Sequence, residues 1–427
     1  MAKIFAKGAP LKYSIIIPAY NEEKGLPVVL EKIVKIIDDS FEILVVNDGS
    51  TDNTALVAQK YPCRLINHHI NQGKGKAMKT GVQQARGENV LFIDADDTYP
   101  VEKILDIAGA LKDHDYAVAS RSIGKQNIPA FNRIGNAIFR NSIRYMYGFK
   151  AYDPLTGLYG LKKSYFEKME LRSKGFGIES EIAIKAASMG LKIKDIPIVY
   201  GERIGEAKLN GLKDGYKIAR TIISHLPLYN STIAFILPGL LLFLAGLIGL
   251  LFYIRNANLG AGIISALLLL AGFQIGTFGF ASKVYAIAHK YSQTDIFTRF
   301  LLQPGMRWKL TGLGVVMVLF SIIAGGLLFS ENISLAGNPG IHLTELANAS
   351  ELAVNNLSYG QLSLVAVDKA KDVLFLPLLT SGLLGLLLIF SATFLSIFTA
   401  GLSSSGSVLF KHSEGAKIAT LEKQVSG

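Results

Sequence analysis

The sequence predicts an α/β domain on a parallel sheet, followed by a helical membrane domain, and three observations carry that prediction. Strand-like runs at 14–18, 42–46, 63–67 and 89–93 alternate with helical patterns at 25–38, 53–61 and 74–86, the signature of βαβ units. Further strands are predicted at 117–121 and 158–162, and a helix at 178–189. From Ile233 onward, apolar runs at 233–254, 260–288, 311–329 and 373–400 are each close to or above the roughly 20 residues that span hydrocarbon. The third observation is chemical: the apolar run Asn89-Val-Leu-Phe-Ile93 breaks into Asp94, Asp96 and Asp97 where a buried strand should end.

Carboxylates one residue apart at a strand tip can share a hard divalent cation, which then neutralises a diphosphate. Acidic residues at strand ends also cap helices or solvate turns, so the pair alone leaves both readings open. Two more apolar runs end in polar turns, at Pro18-Ala-Tyr-Asn-Glu22 and Asn47-Asp-Gly-Ser-Thr-Asp52. Ligands of open parallel sheets gather beyond the carboxyl ends of the strands, so three such ends converge on one crevice.

These two turns, with Gly73-Lys-Gly-Lys-Ala77, Asp94-Ala-Asp96, Asp153-Pro-Leu-Thr-Gly157 and Arg203-Ile-Gly-Glu-Ala-Lys208, form an ordered set over residues 13–208. In this set the chain resembles the family-2 glycosyltransferases, and more closely their polyprenyl-phosphate branch, typified by dolichyl-phosphate mannose synthase. The resemblance implies a GT-A type, Rossmann-like nucleotide-sugar domain with a mixed, mainly parallel sheet over 1–210. It implies transfer of a single hexose, from GDP-mannose or UDP-glucose, to dolichyl or another polyprenyl phosphate. The membrane half carries no comparably diagnostic motif.

By the same resemblance, Pro18, Tyr20, Glu22, Val46 and Asp48 hold the base and ribose, and Lys76, Asp94, Ala95, Asp96, Arg121, Arg203 and Lys208 complete the donor site. Asp94 and Asp96 are the implied ligands of Mg²⁺ or Mn²⁺. Many mannose-type members place a glutamine two residues after the second Asp, where this chain has Thr98; a hydroxyl is a weaker ligand, and Asp97 stands ready to compensate. Arg121, Arg133, Arg203 and Lys208 match basic positions that clamp the acceptor phosphate, and Asp96, Arg121 and Arg203 are the implied catalytic groups. A lipid phosphate is already a nucleophilic oxyanion, which favours orienting cations over a general base. Glu179 and Glu181 stand where relatives acting on hydroxyl acceptors keep a catalytic carboxylate; with a phosphate acceptor they are structural or position the sugar.

Around the membrane, residues 211–229 are expected to form an interfacial amphipathic helix. Leu212, Tyr216, Ala219, Ile223 and Leu226 recur at helical spacing, with Lys213, Lys217 and Arg220 on another face. Residues 131–147 interleave Arg133, Arg140 and Arg144 with apolar positions and read as an acceptor segment near the headgroups. The connection after the second span holds Lys290, Arg299, Arg307 and Lys309, which predicts a cytoplasmic side for it. The four-span domain at 230–401 then returns the tail at 402–427 and the catalytic domain to the cytoplasm and leaves 331–372 outside. That loop holds Lys369 and Lys371 against Glu331, Glu345, Glu351, Asp368 and Asp372, with acceptor triplets at Asn332, Asn348 and Asn356. Residues 1–11 lack the apolar core of a cleavable signal.

The net charge of +11 is concentrated near the membrane-proximal segments, which points to anionic lipid and phosphate rather than nucleic acid. With Cys63 as the single cysteine, disulfides within one chain are excluded. The seven histidines show no convergent spacing, and a homo-oligomer is left open. Two rival functions remain. A processive polysaccharide synthase would carry Gln-x-x-Arg-Trp, whereas Gln303-Pro-Gly-Met-Arg-Trp308 has one residue too many and turns the Arg-Trp pair by about 100°. A non-catalytic lipid carrier or flippase subunit would need no intact donor site.

Overall fold

The structure is a computed structural model that describes residues 11–123, 130–206, 208, 211–256, 258–289, 291, 296–301, 303, 305–335 and 374–393. Two compact units are resolved, one spanning 1–230 with 290–293, the other 231–289 with 294–427.

In the first unit, seven strands form one sheet in the order β3-β2-β1-β4-β6-β5-β7. They are β1 (Tyr13–Ala19), β2 (Phe41–Asn47), β3 (Arg64–Asn67), β4 (Asn89–Phe92), β5 (Tyr116–Ile123), β6 (Tyr159–Lys162) and β7 (Ile193–Val199). Only β6 runs against the others, inserted between β4 and β5. The expected mixed, mainly parallel sheet is therefore what forms. Strands β1, β2 and β4 are buried on both faces, which explains why each reads as a continuous apolar run.

The intervening helices are α1 (Gly25–Ile36), α2 (Thr54–Ala58), α3 (Lys74–Gln84), α4 (Lys103–Ala110), α5 (Ala130–Tyr147), α6 (Lys163–Lys168), α7 (Ile178–Ser188) and α8 (Gly211–Tyr229). One core lies on the α1 and α4 side, around Ile15, Ile17, Leu26 and Leu30. The other lies on the α3 and α7 side, around Ile16, Val46, Met78 and Ile182. All strand ends except those of β6 point their carboxyl termini one way, and β6 brings its amino-terminal end to the same edge. This edge gathers the turns after β1, β2 and β4 and the loop before β6.

Helix α8 departs from the expected amphipathic pattern in an informative way. It packs against α5 and α7 through Asp214, Ile218 and Ile222, one stripe at i, i+4 and i+8. The Tyr147 hydroxyl donates to the Ile222 carbonyl. The predicted apolar stripe lies elsewhere on the helix, with Leu212, Tyr216 and Ile223 at 74%, 69% and 63% exposure. The helix is thus apolar on two sides, one used by the domain and one left open.

In the second unit, α9 (Leu237–Asn256) and α10 (Leu259–Ala288) form a hairpin, followed by α11 (Ile296–Leu301) and α12 (Met306–Leu335). A Cβ on Gly272 would lie 2.4 Å from the Phe243 nitrogen and 2.6 Å from the Gly239 carbonyl oxygen, so small residues set the approach of α9 and α10. Among the described residues, three helices are long and apolar enough to cross a membrane: Thr232–Asn256, Leu259–Ala288 and Leu374–Thr393. The stretch expected as a further span falls within α12, where the apolar helix Trp308–Ala324 is shorter. Gln303 precedes Gly305, whose φ is +88°, and α12 starts only at Met306, so Gln303 does not share a helix with Trp308. Most of the expected external loop and the whole expected tail lie outside the described residues.

Candidate active site

Backbone geometry first ties the strand-end turns together. The Asn21 amide donates to Ser50 Oγ at 2.9 Å, and the Thr51 amide donates to Asn21 Oδ1 at 2.8 Å, so the β1 and β2 turns form one wall. Asn21 achieves this at φ +52°, a left-handed conformation that Asn tolerates better than most residues. The Glu22 amide donates to Thr54 Oγ1 at 2.8 Å.

The carboxylates beyond β4 each meet a cation. Asp94 Oδ1 lies 2.7 Å from Lys74 Nζ, and the same Nζ lies 2.7 Å from Glu179 Oε1. Asp96 Oδ2 lies 2.8 Å from Arg203 Nη1, and Arg203 Nη2 lies 2.8 Å from Glu22 Oε1. Glu22, Asp96 and Glu179 are all buried. Each aspartate is therefore bridged through one cation to one buried glutamate. Gly157 packs directly on Asp94, because a Cβ there would come within 2.1 Å of Oδ2.

Four carboxylates share two bridging cations, and burial raises the cost of charge at three of them. Burial pushes Glu22 up to about 7, with the neighbouring Asp96 adding to the effect while Arg203 and Lys208 oppose it. Burial, then the charge of Asp94, raises Asp96. Burial also raises Glu179. Burial alone would lower Lys74, but Asp94 and Glu179 hold it above the ordinary lysine value. A cluster of hard oxygen donors short of positive charge suits Mg²⁺ or Mn²⁺, so Asp94 and Asp96 fit such an ion.

Thr98 is buried, and its hydroxyl donates to Asp96 Oδ1 at 2.6 Å, fixing the carboxylate rather than pointing away from it. Asp97, at φ +60°, turns outward to Lys32 at 2.6 Å and does not join the pair. Among the described residues no group of three or more His, Cys, Asp or Glu side chains is arranged as a metal cage.

Asp48 is almost fully buried and accepts three hydrogen bonds from within the domain. It accepts from His68 Nδ1 at 2.6 Å and from the amides of Gln72 and Gly73 at 3.0 and 2.8 Å. On the other side of the ring, His68 Nε2 pairs with Thr80 Oγ1 at 3.0 Å. Asp48 thus fixes the turn that delivers Lys74, helped by Gly73 at φ +93°. Val46 lies wholly within the core, so its side chain cannot line the crevice. Pro18 and Tyr20 are half-buried at the end of β1, and Ala95 is buried between the two aspartates.

Among the basic residues, Arg121 is locked. Its Nε donates to Asp153 Oδ2 at 2.6 Å, and its Nη2 donates to Asp153 Oδ1 and the Leu155 carbonyl, both at 3.0 Å. Its guanidinium also lies 5.5 Å from the Tyr200 ring centroid. Burial opposes both charges, but the pairing holds Asp153 below and Arg121 above their ordinary values. Lys208 is close enough to bias Glu22. Arg133 stands exposed on α5 without an ion pair among the described residues. Among the described residues Lys76 likewise forms no ion pair with the carboxylates: residues two apart on a helix point about 200° apart, and it is Lys74 that reaches Asp94. Glu181, entirely buried, accepts from the Arg172 and Ser173 amides and from Lys185, which makes it structural.

The family model "Glycosyl transferase family 2" matches residues 14–169. The dolichyl-phosphate hexose transferase of Haloferax volcanii is 31% identical over 212 residues, covering 49% of this chain and 92% of that protein. The dolichol-phosphate mannosyltransferase of Pyrococcus furiosus is 34% identical over 213 residues, 47% of this chain and 60% of that protein. The low-salt glycan biosynthesis hexosyltransferase Agl6 of Haloferax volcanii is 28% identical over 330 residues, 74% of this chain and 78% of that protein. On the strength of that 212-residue match, which covers 92% of the relative, and of the family model over residues 14–169, the chain belongs to glycosyl transferase family 2, grouping with relatives named for dolichyl-phosphate sugar transfer.

Proposed function

We propose that this chain transfers one hexose from a nucleotide sugar, GDP-mannose or UDP-glucose, to dolichyl or another polyprenyl phosphate at the cytoplasmic membrane face, with inversion. The observation that carries the reading is the paired cluster Asp94–Lys74–Glu179 and Asp96–Arg203–Glu22 at the strand ends, in a chain related over that domain to a dolichyl-phosphate hexose transferase. The three long apolar helices and the open apolar stripe of α8 support a lipid acceptor.

In this reading an acceptor phosphate oxygen attacks the sugar's anomeric carbon. The new C–O bond forms as the bond to the nucleoside diphosphate breaks on the opposite face, which inverts the centre. Mg²⁺ or Mn²⁺ held by Asp94 and Asp96 would supply charge neutralisation at the departing diphosphate. Thr98 holds Asp96 in place, Asp48 and His68 hold the Lys74 turn, and Arg121 fixes the loop that ends in Gly157 against Asp94. Arg203, whose Nη1 and Nη2 hold Asp96 and Glu22, would exchange a carboxylate for a phosphate oxygen when the ligands bind, with Lys208 beside it as a point charge. The acceptor arrives as an oxyanion, so no side chain has to remove a proton. Four spans, with the catalytic domain and tail on the cytoplasmic side, complete the proposed topology.

The test is to incubate detergent-solubilised protein with a polyprenyl phosphate and a panel of labelled nucleotide sugars, then extract into organic solvent. The reading expects label in the extractable lipid and release of nucleoside diphosphate. Ethanol-insoluble labelled polymer would instead support a synthase, and no donor turnover would support a carrier.

A further inference from the structure

The two aspartates that fit a divalent ion are not free carboxylates: each is capped by a side-chain cation that holds a second, buried anion. Lys74 Nζ is equidistant, at 2.7 Å, from Asp94 Oδ1 and Glu179 Oε1. Lys74 is largely shielded, with 17% of its side chain exposed, while Asp94 keeps 26% and is the more open of its two partners. Glu179 is 7% exposed and sits in the first turn of α7, where the helix dipole favours its negative charge. A cation with one open partner and one enclosed partner has a place to go when the open partner is claimed.

We propose that Lys74 is a resident counter-cation that occupies the metal-facing side of Asp94 in the unloaded enzyme and withdraws onto Glu179 when a divalent ion binds, so that Lys74 and Glu179 together set metal affinity. This inference rests on the reading of Asp94 and Asp96 as metal ligands. The arrangement has a physical reason. Unpaired carboxylates in a half-buried crevice repel one another, and a removable internal cation keeps them ordered until the ion arrives. The same cation competes with the ion, because both need Asp94. Glu179 relieves that competition by giving Lys74 a full-strength partner after displacement. Lys74 and Glu179 are positioning residues in this scheme, and their effects on metal binding have opposite signs.

The experiment titrates Mn²⁺ alone into chelator-stripped full-length protein in detergent and follows binding by calorimetry. Variants are purified with Mn²⁺ present and then stripped, so that the crowded carboxylates do not compromise folding. Lys74→Met and, as a second version, Lys74→Gln should bind Mn²⁺ about tenfold more tightly than wild type, whereas Glu179→Gln should bind it about tenfold more weakly. The double variant Lys74→Met/Glu179→Gln should match Lys74→Met within about twofold, because Glu179 acts through the lysine. A purely structural pair would alter thermal stability without opposite shifts in affinity. Wild-type binding that is lost in Asp94→Asn but unchanged or weakened in both lysine variants overturns the exchange and leaves the metal site standing, as does full additivity in the double variant. Absence of Mn²⁺ binding by wild type, or binding unaffected by Asp94→Asn, removes the metal site and the exchange with it.

Discussion

The strand-end crevice and the exposed sides of α5 and α8 are both rich in charge, but they hold it differently. In the crevice nearly every ionic group meets another within 3 Å: Asp94 with Lys74, Asp96 with Arg203, Asp153 with Arg121, Asp48 with His68. On the helices, Arg133 and Arg220 are exposed, as are Ile134, Leu212, Tyr216 and Ile223, these four each more than 60% exposed. The crevice is held in order by its own ion pairs before a ligand arrives. The helix face is complementary to something that is both apolar and anionic, which is the chemistry of a lipid headgroup layer.

If that contrast is right, substitutions in the crevice should act through fixed geometry, and those on the helices through access to lipid. The largest effect is expected at Arg121, where Arg121→Met leaves Asp153 buried without its partner. Chemical denaturation should show a loss of about 3 to 5 kcal/mol, because an uncompensated buried charge costs more than the pair contributed. An unchanged midpoint would mean that the Asp153 loop does not depend on the pair.

Next comes Asp96. Asp96→Ala should reduce turnover by about a hundred- to a thousandfold, corresponding to roughly 3 to 4 kcal/mol of lost charge stabilisation. Thr98→Ala removes only one orienting hydrogen bond, worth about 1 kcal/mol, and should cost less than tenfold. Equal losses in the two would make Thr98 a ligand rather than a support.

Arg203→Lys keeps the charge but cannot bridge Glu22 and Asp96 in a planar fork. Turnover should fall roughly ten- to a hundredfold, in line with losing a charged contact of about 1.5 to 3 kcal/mol. Near-wild-type rates would shift the phosphate clamp towards Arg133 and Lys208.

The smallest effect should be the most selective. Leu212→Asp/Ile223→Asp in nanodiscs is expected to raise KM for a long polyprenyl phosphate about tenfold. The rate on a short, water-soluble prenyl phosphate should stay unchanged. A matching loss on both acceptors would tie the exposed stripe to folding instead of lipid.

Much of this contrast was legible in the chain, and the parts that were not share one cause. The apolar runs ending at Asn47 and before Asp94 announced buried strands and their tips, because period and residue type are local properties. What stayed hidden depends on pairs distant in sequence. Glu179 lies 105 positions from Lys74, and only the packing of α7 beside α3's first turn joins them. Asp48 reads in the sequence as a ligand for ribose or base donors, and its hydrogen bonds from His68, Gln72 and Gly73 could not be read there. In α8 the periodicity revealed the open stripe but not the buried one through Ile218 and Ile222, since both satisfy helical spacing. Lys74 could have been preferred over Lys76 from helical phase, because α3 starts at Lys74 and buries Gly75, Ala77 and Met78.

The measurement that bears most directly on the account compares initial rates on dolichyl phosphate and on dolichol, with the same labelled donor in the same nanodiscs. A crevice whose carboxylates are each tied to a cation, in a domain with an exposed apolar and basic helix face, predicts transfer to the phosphate and none to the alcohol. It also predicts a rate that levels off once pH exceeds the phosphate's second pKa of roughly 6. Comparable transfer to dolichol would contradict the account, because an alcohol acceptor needs a general base that it does not assign.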